Sequence, residues 1–249
     1  MECYVNEIPI FYKEYGEGVP VLCLHGYTVD HRLMEGCLEP IFQDLKGFRR
    51  IYLDLPGHGK TPASKKIKNA DDMLDILKSF IEKVIGCERF LLIGESYGGY
   101  LSLGLIHLQQ QVGGLFLIAP CVISDAQKRQ LPSGHEMAVP LAETEEMRAR
   151  YEREIQSGLS IADKEFTSRY RKGGYSFSFE DEIGNIEFHH PTGIVLGRQD
   201  DSVGYMDALA LISNFTRATF MVADSAGHNL QIEKKELFTA CLLDWVGSV

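Results

Sequence analysis

The chain has 249 residues, 45% of them apolar and 24% charged, which suits one large folded domain or a core with an inserted subdomain and excludes a disordered chain. Its formal charge of −10 at pH 7 opposes binding to a polyanion such as nucleic acid. No run approaches the ~18 apolar residues of a membrane-spanning helix. The start, Met1 to Glu7, has neither a basic end nor an apolar stretch, so neither a membrane anchor nor a secretory signal is expected there.

In chain order, Cys3–Val5 and Ile8–Tyr15 read as two strands of a hairpin turned at Asn6-Glu7. Val19 to Leu24 is a continuous apolar run, the pattern of a strand covered on both faces, and it ends in His25-Gly26-Tyr27-Thr28. A helix is expected through Leu33, Leu38, Ile41, Phe42 and Leu45, closed by Gly47. Arg50–Leu55 is the next strand. It leads into Pro56-Gly57-His58-Gly59-Lys60-Thr61, whose ending suggests a phosphate loop, but that spacing needs glycine where the chain has Asp54. Asn69 to Gly86 reads as an amphipathic helix with Asn69 or Asp71 as N-cap.

Arg89–Ile93 is a buried strand and Tyr100–Leu108 a largely apolar helix. Between them lies Gly94-Glu95-Ser96-Tyr97-Gly98-Gly99. A strand that turns straight into a helix through Gly-x-Ser-x-Gly is a nucleophile elbow: the serine is held in strained backbone at the tip, and the glycines let strand and helix pass closely. Leu115–Ala119 is a further strand, stopped by Pro120. Strands and helices alternate to this point, which implies a mostly parallel central sheet flanked by helices, an α/β fold.

From Cys121 to His190 the pattern turns polar, with helical stretches near 143–156 and 161–171 and aromatics at Tyr175, Phe177 and Phe179. Residues 121–190 therefore read as an inserted helical cap on a core of 1–120 and 191–249. The aromatics form either a small cap core or one wall of a pocket. Strands resume at Gly193–Leu196 and Ala218–Val222, with a helix between them (205–213) and a last one at 234–246, where Trp245 is expected to anchor packing. The six cysteines, Cys3, Cys23, Cys37, Cys87, Cys121 and Cys241, lack any Cys-x-x-Cys pair and read as free thiols of a cytoplasmic protein.

A serine nucleophile needs a base within hydrogen-bond reach, and the base needs an acid to orient it. Gly197-Arg198-Gln199-Asp200-Asp201-Ser202-Val203 follows one late strand and Ser225-Ala226-Gly227-His228-Asn229 the next. With the elbow, these segments resemble the α/β-hydrolase family over nearly the whole chain outside the cap, most closely its small capped esterase and peptidase-like members. The resemblance implies Ser96 as nucleophile, His228 as base and Asp200 as acid, with Asp201 as rival to Asp200. It also implies an oxyanion hole from the backbone N–H groups of Tyr27 and Tyr97, and a structural turn at Asp54, Gly57 and Gly59.

His25 and His58 are read as turn-stabilising, His107 as packed or on the surface, and His189-His190 as a loop without metal-ligand spacing. Glu95 departs from the family's frequent histidine before the nucleophile. It is either a carboxylate held by hydrogen bonds or one whose burial raises its pKa. The function these residues imply is hydrolysis of a small carboxylic ester through an acyl-enzyme, with no metal or organic cofactor. Amide, lactone and C–C cleavage, or acyl transfer, run on the same parts. A ligand-binding receptor with vestigial hydrolysis is the reading from a different class. The expected partner is a small-molecule substrate; the oligomeric state is left open.

Overall fold

The alternating strands assemble into one eight-stranded sheet in the order β1-β2-β4-β3-β5-β6-β7-β8. The computed structural model describes residues 1–139, 141 and 143–249. The strands are β1 (Glu2–Val5), β2 (Ile8–Tyr15), β3 (Val19–Leu24), β4 (Phe48–Leu53), β5 (Phe90–Glu95), β6 (Val112–Ile118), β7 (Thr192–Gly197) and β8 (Ala218–Ala223). The hairpin β1–β2 is antiparallel and β2 joins β4 antiparallel, whereas every pairing from β4 to β8 is parallel. Asn6 and Glu7 both take positive φ, as the tight hairpin turn requires.

Successive strand residues face opposite sides, so each central strand feeds two cores. Leu22 and Leu24 join one, beneath α2 (Ala70–Val84) and α3 (Tyr97–His107); Val21 and Cys23 join the other, beneath α1 (His31–Phe42) and the C-terminal helix Lys235–Val246. Asn69 caps α2 reciprocally with Asp72. Trp245 is buried beside Phe116 and donates from Nε1 to the Pro191 carbonyl at 3.1 Å.

Several boundaries differ from the sequence expectation; β4, for one, runs over Phe48–Leu53 and not Arg50–Leu55. α1 stops at Phe42, short of Leu45. β6 begins three residues before Leu115, because Gly113 and Gly114 belong to the strand. A Cβ on Gly114 would lie 2.7 Å from Val249 and 3.0 Å from Leu91, so the C-terminal end packs where a side chain would stand. The helix expected at 205–213 is an α turn, Met206–Leu209, followed by a 3₁₀ turn, Ala210–Asn214.

Between β6 and β7 the described residues add helices and no strand to the sheet. α4 (Glu145–Tyr151), N-capped by Thr144, runs on through a π turn at Glu152–Gln156 into Ser157–Leu159. The helix Lys164–Gly173 follows, N-capped by Asp163. The wide π turn carries Glu154 inward against Gly36, where Arg150 donates to its two carboxylate oxygens at 2.9 and 2.8 Å. Tyr175, Phe177 and Phe179 pack together with Tyr97, Tyr100 and His107. They extend the main core, which settles their role in favour of packing. No helix among the described residues is long and apolar enough to cross a membrane.

Candidate active site

Ser96 stands between β5 and α3 at φ +50°, a left-handed conformation that costs energy for a non-glycine residue. The surrounding contacts hold it there. A Cβ on Gly98 would lie 2.2 Å from the Leu24 carbonyl oxygen of β3, and one on Gly94 would lie 2.4 Å from Ser102 Oγ, so only glycine permits the crossing. The Ser96 N–H donates to the Ile118 carbonyl, and its own carbonyl accepts from Tyr100 and Cys121. The elbow is thereby tied to β6 as well as to α3.

His228 and Asp200 arrive from the loops after β8 and β7. His228 Nε2 lies 3.0 Å from Ser96 Oγ, and Nδ1 lies 2.8 Å from Asp200 Oδ2. With the proton on Nδ1, His228 donates to Asp200 and accepts from the serine hydroxyl. Asp200 is fully buried, and its Oδ1 accepts from the N–H groups of Ser202 and Val203 at 2.8 and 3.0 Å. Asp201 is exposed and points along the loop to Ser202 Oγ. Burial alone would lower the His228 pKa; the charge and hydrogen bond of Asp200, with the charge of Glu95, outweigh it and push the value up to about 9.

Glu95 is 2% exposed, with Oε1 3.6 Å from His228 Nε2 and Oε2 without a hydrogen-bond partner among the described residues. Burial, and to a smaller degree Asp200, raise its pKa to about 7 against the opposing charge of His228. Of the two sequence readings of this residue, the geometry agrees with the buried, pKa-raised one. Such a carboxylate cannot be treated as a fixed negative charge at neutral pH.

Tyr97 opens α3, where a backbone N–H has no acceptor within the helix. Gly26 and Tyr27 line the same cavity as Ser96. The side chains of both tyrosines anchor the elbow to the segment between β6 and β7: Tyr97 Oη lies 2.6 Å from Tyr170 Oη, and Tyr27 Oη donates to the Thr167 carbonyl. His25 Nδ1 donates to the Gly26 carbonyl, leaving Nε2 to accept from Leu55 N–H at 3.0 Å. Burial lowers its pKa and pushes that of the adjacent His58 down to about 3. Both histidines are thus neutral braces of the turns beneath the site.

Asp30, His31 and Asp54 bring donor atoms within 4.8 Å of one another. Asp54 already accepts from His31 and from the Lys60 N–H, and Asp30 from Arg32. This is a hydrogen-bonded turn, and Gly59 at φ +52° lies flat against it. His107 stacks on Phe179 and approaches Glu182 at 3.6 Å, and His189 contacts Thr216; both lie away from Ser96.

A cavity of about 440 Å³ opens over Ser96 and His228. Its apolar side is formed by Val29, Leu33, Ile155 and Leu159, its polar side by Glu95, Asp201, Asn229 and Glu233. Sequence reasoning missed Tyr151, Asn229 and Glu233. Asn229 Nδ2 donates to Tyr151 Oη at 2.6 Å, and Glu233 accepts from the Gly227 N–H at 2.5 Å, bracing the His228 loop on both sides. Closeness to His228 in sequence is a signal for Asn229 and Glu233; Tyr151 has none, because it arrives from α4. Chemically, the arrangement can take the hydroxyl proton of Ser96 as its oxygen attacks an acyl carbon.

The sequence model of the alpha/beta hydrolase family matches residues 21–240. A solved structure of an alpha/beta superfamily hydrolase from Oenococcus oeni is 31% identical, with a TM-score of 0.88 over 96% of each chain. An esterase from Exiguobacterium antarcticum is 19% identical, with a TM-score of 0.79 over 99% of this chain and 98% of that one, a likeness of fold alone. The AB hydrolase superfamily protein YisY of Bacillus subtilis is 26% identical over 131 residues, 52% of this chain and 48% of that protein, so the match spans less than half the length of that relative. With the family match running from β3 into the C-terminal helix, and a 31% identical structure superposing nearly end to end, the chain belongs to the alpha/beta hydrolase family.

Proposed function

We propose that the chain is a serine hydrolase that cleaves a small carboxylic ester through an acyl-enzyme, with Ser96, His228 and Asp200 as its catalytic triad. The 3.0 Å approach of His228 Nε2 to Ser96 Oγ, between residues 132 apart in sequence, carries this reading. Ser96 Oγ attacks the ester carbon as its proton passes to His228 Nε2, and the carbonyl electrons move onto oxygen. The backbone N–H groups of Tyr27 and Tyr97 receive that oxyanion, an interaction worth about 3–4 kcal/mol per donor in comparable sites. Collapse returns the electrons, breaks the bond to the alcohol and hands the alcohol the proton from His228. Water then repeats the sequence on the acyl-enzyme, releasing the acid and restoring the serine. Asp200 holds the ring orientation and stabilises the imidazolium.

In this reading residues 121–190 act as a cap over the core of 1–120 and 191–249, and the substrate is a small molecule. Met137, Tyr151, Ile155 and Leu159 support it by lining the cavity from the cap side. The six unpaired cysteines accord with a cytoplasmic protein. The test is labelling by a fluorophosphonate probe together with turnover of p-nitrophenyl esters. Ser96→Ala should abolish both while the circular dichroism spectrum stays unchanged. Hydrolysis that survives this substitution would overturn the assignment, and labelling without turnover would favour a receptor that retains a slow triad.

A further inference from the structure

We propose that the substrate of this site carries a positively charged ammonium group, seated beside Tyr151 and Glu233 while its acyl carbonyl lies at Ser96. The inference rests on the hydrolase reading above and adds the charge of the molecule hydrolysed.

Three carboxylates reach the cavity from separate elements: Glu95 from the end of β5, Asp201 from the loop after β7, and Glu233 from the short helix Leu230–Glu233. No lysine or arginine lines it among the described residues. A second cavity of about 540 Å³ adjoins the first, sharing Leu141, Tyr151 and Glu233 with it. That outer chamber adds Glu143 and Glu152 against a single arginine, Arg148, which faces Glu143 at 3.6 Å. A molecule passing from the outer chamber to Ser96 therefore travels between carboxylates. Concave walls of one sign focus the field and concentrate ligands of the opposite sign.

Tyr151 stands where the two chambers meet. Its hydroxyl pKa is raised by burial and then by the charges of Glu233, Asp201 and Glu95, so all three carboxylates act at this ring. An aromatic face among carboxylates is the chemistry that holds an ammonium group. Glu95 adds an independent sign of a missing partner: it lines the cavity, is 2% exposed, and leaves Oε2 unpaired among the described residues. Its cationic neighbour, His228 Nε2 at 3.6 Å from Oε1, must give up its proton to act as base, so a further cation in the cavity favours the charged carboxylate. A substrate carboxylate would instead add charge of the same sign, with no lysine or arginine among the lining residues to meet it and with His228 already paired to Asp200. The apolar side, from Val29, Leu33 and Ile155, leaves room for a short acyl chain.

The test uses three thioesters of nearly equal size whose thiol release is read by colour: acetylthiocholine, 3,3-dimethylbutyl thioacetate and 3-(acetylthio)propanoate. At low ionic strength kcat/KM should fall in that order, with the cation ahead of its neutral counterpart by about ten-fold and the gap narrowing in added salt. Glu233→Gln should pull the cation-to-neutral ratio toward one, and Asp201→Lys should favour the carboxylate compound. A ratio near one in the wild-type protein, or preference for the anion, overturns the inference. Turnover that Ser96→Ala removes would still leave the hydrolase reading standing. If none of the three is cleaved, protection of Ser96 from fluorophosphonate labelling by choline, 3,3-dimethylbutanol or 3-hydroxypropanoate ranks the same charges by binding. Protection by choline above the other two supports the inference, and equal or absent protection overturns it. Absence of both labelling and turnover sinks the hydrolase reading itself.

Discussion

The Asp200 carboxylate accepts from three donors at once, His228 Nδ1 and the N–H groups of Ser202 and Val203, and no water-exposed surface remains on it. Asp200→Asn keeps the shape but can present an N–H to Nδ1 and stabilise the wrong tautomer, so kcat should fall by about 10⁴-fold. Asp201→Asn, at an exposed side chain clear of the ring, should change kcat for a neutral ester less than about three-fold; steady-state kinetics on the two variants decide between them. Glu95 acts on the same ring from the other side. Its charge is one of the causes that hold the proton on His228, so Glu95→Gln should move the rising limb of kcat/KM from near pH 9 toward lower pH. The profile should move more than its plateau, and superimposable profiles would remove Glu95 from the titration. The convergence of Ser96, His228 and Asp200 was legible in the sequence because each follows a strand end marked by glycine or an apolar run. The state of Glu95 was legible only as an alternative. Its pKa depends on what β3, β5 and the His228 loop bury together, which spacing does not encode.

At the scale of elements, the site exists because β3, β5 and α3 approach more closely than side chains permit. Gly98 is the tightest point, with the Leu24 carbonyl 2.2 Å from where a Cβ would stand, a backbone atom that cannot rotate away. Gly98→Ala should therefore cost about 2–3 kcal/mol in urea unfolding. It should also slow fluorophosphonate labelling, because α3 must back away from β3 and carry the Tyr97 N–H with it. An alanine tolerated without loss of stability or labelling would refute this account of the elbow. Such elements were readable because their chemistry is local: Asn69 with Asp72 for a cap, Asn6-Glu7 for a hairpin turn, Gly-x-Ser-x-Gly for the elbow. The π turn at Glu152–Gln156 was not readable. It accompanies the burial of Glu154 against Gly36 of α1, a contact made across the fold and not within the local sequence. The 3₁₀ turn at Ala210–Asn214 escaped for a similar reason, since an apolar helical period does not distinguish it from an α-helix.

For the whole molecule, the protons at the active site set stability and activity against each other. Glu95 rises from its ordinary 4.5 to about 7 in the fold, so its contribution is complete below about pH 4.5 and is lost as pH climbs through 7. His228 rises from 6.5 to about 9, so its contribution is complete below about pH 6.5 and is lost through 9. Both slopes have the same sign, and the formal charge of −10 at pH 7 adds self-repulsion in the same direction. On the acid side, Asp30 and Glu35 have lowered pKa values: burial opposes the shift, and hydrogen bonds from Arg32 to Asp30, and from Lys13 and Tyr15 to Glu35, outweigh it. Their contribution is present above the ordinary carboxylate range and disappears as pH falls through their folded values. The urea midpoint should therefore peak near pH 5 and decline steadily to pH 9, while kcat/KM climbs over the upper part of that interval as His228 loses its proton. Glu95→Gln should flatten the decline between about pH 4.5 and 7. It should also shift the upper decline downward, because the charge that helps hold the His228 proton is gone. A wild-type midpoint that is level or rising from pH 5 to 9 would show that Glu95 and His228 do not hold their protons as the buried geometry requires, and the pH argument for the base would fail with it.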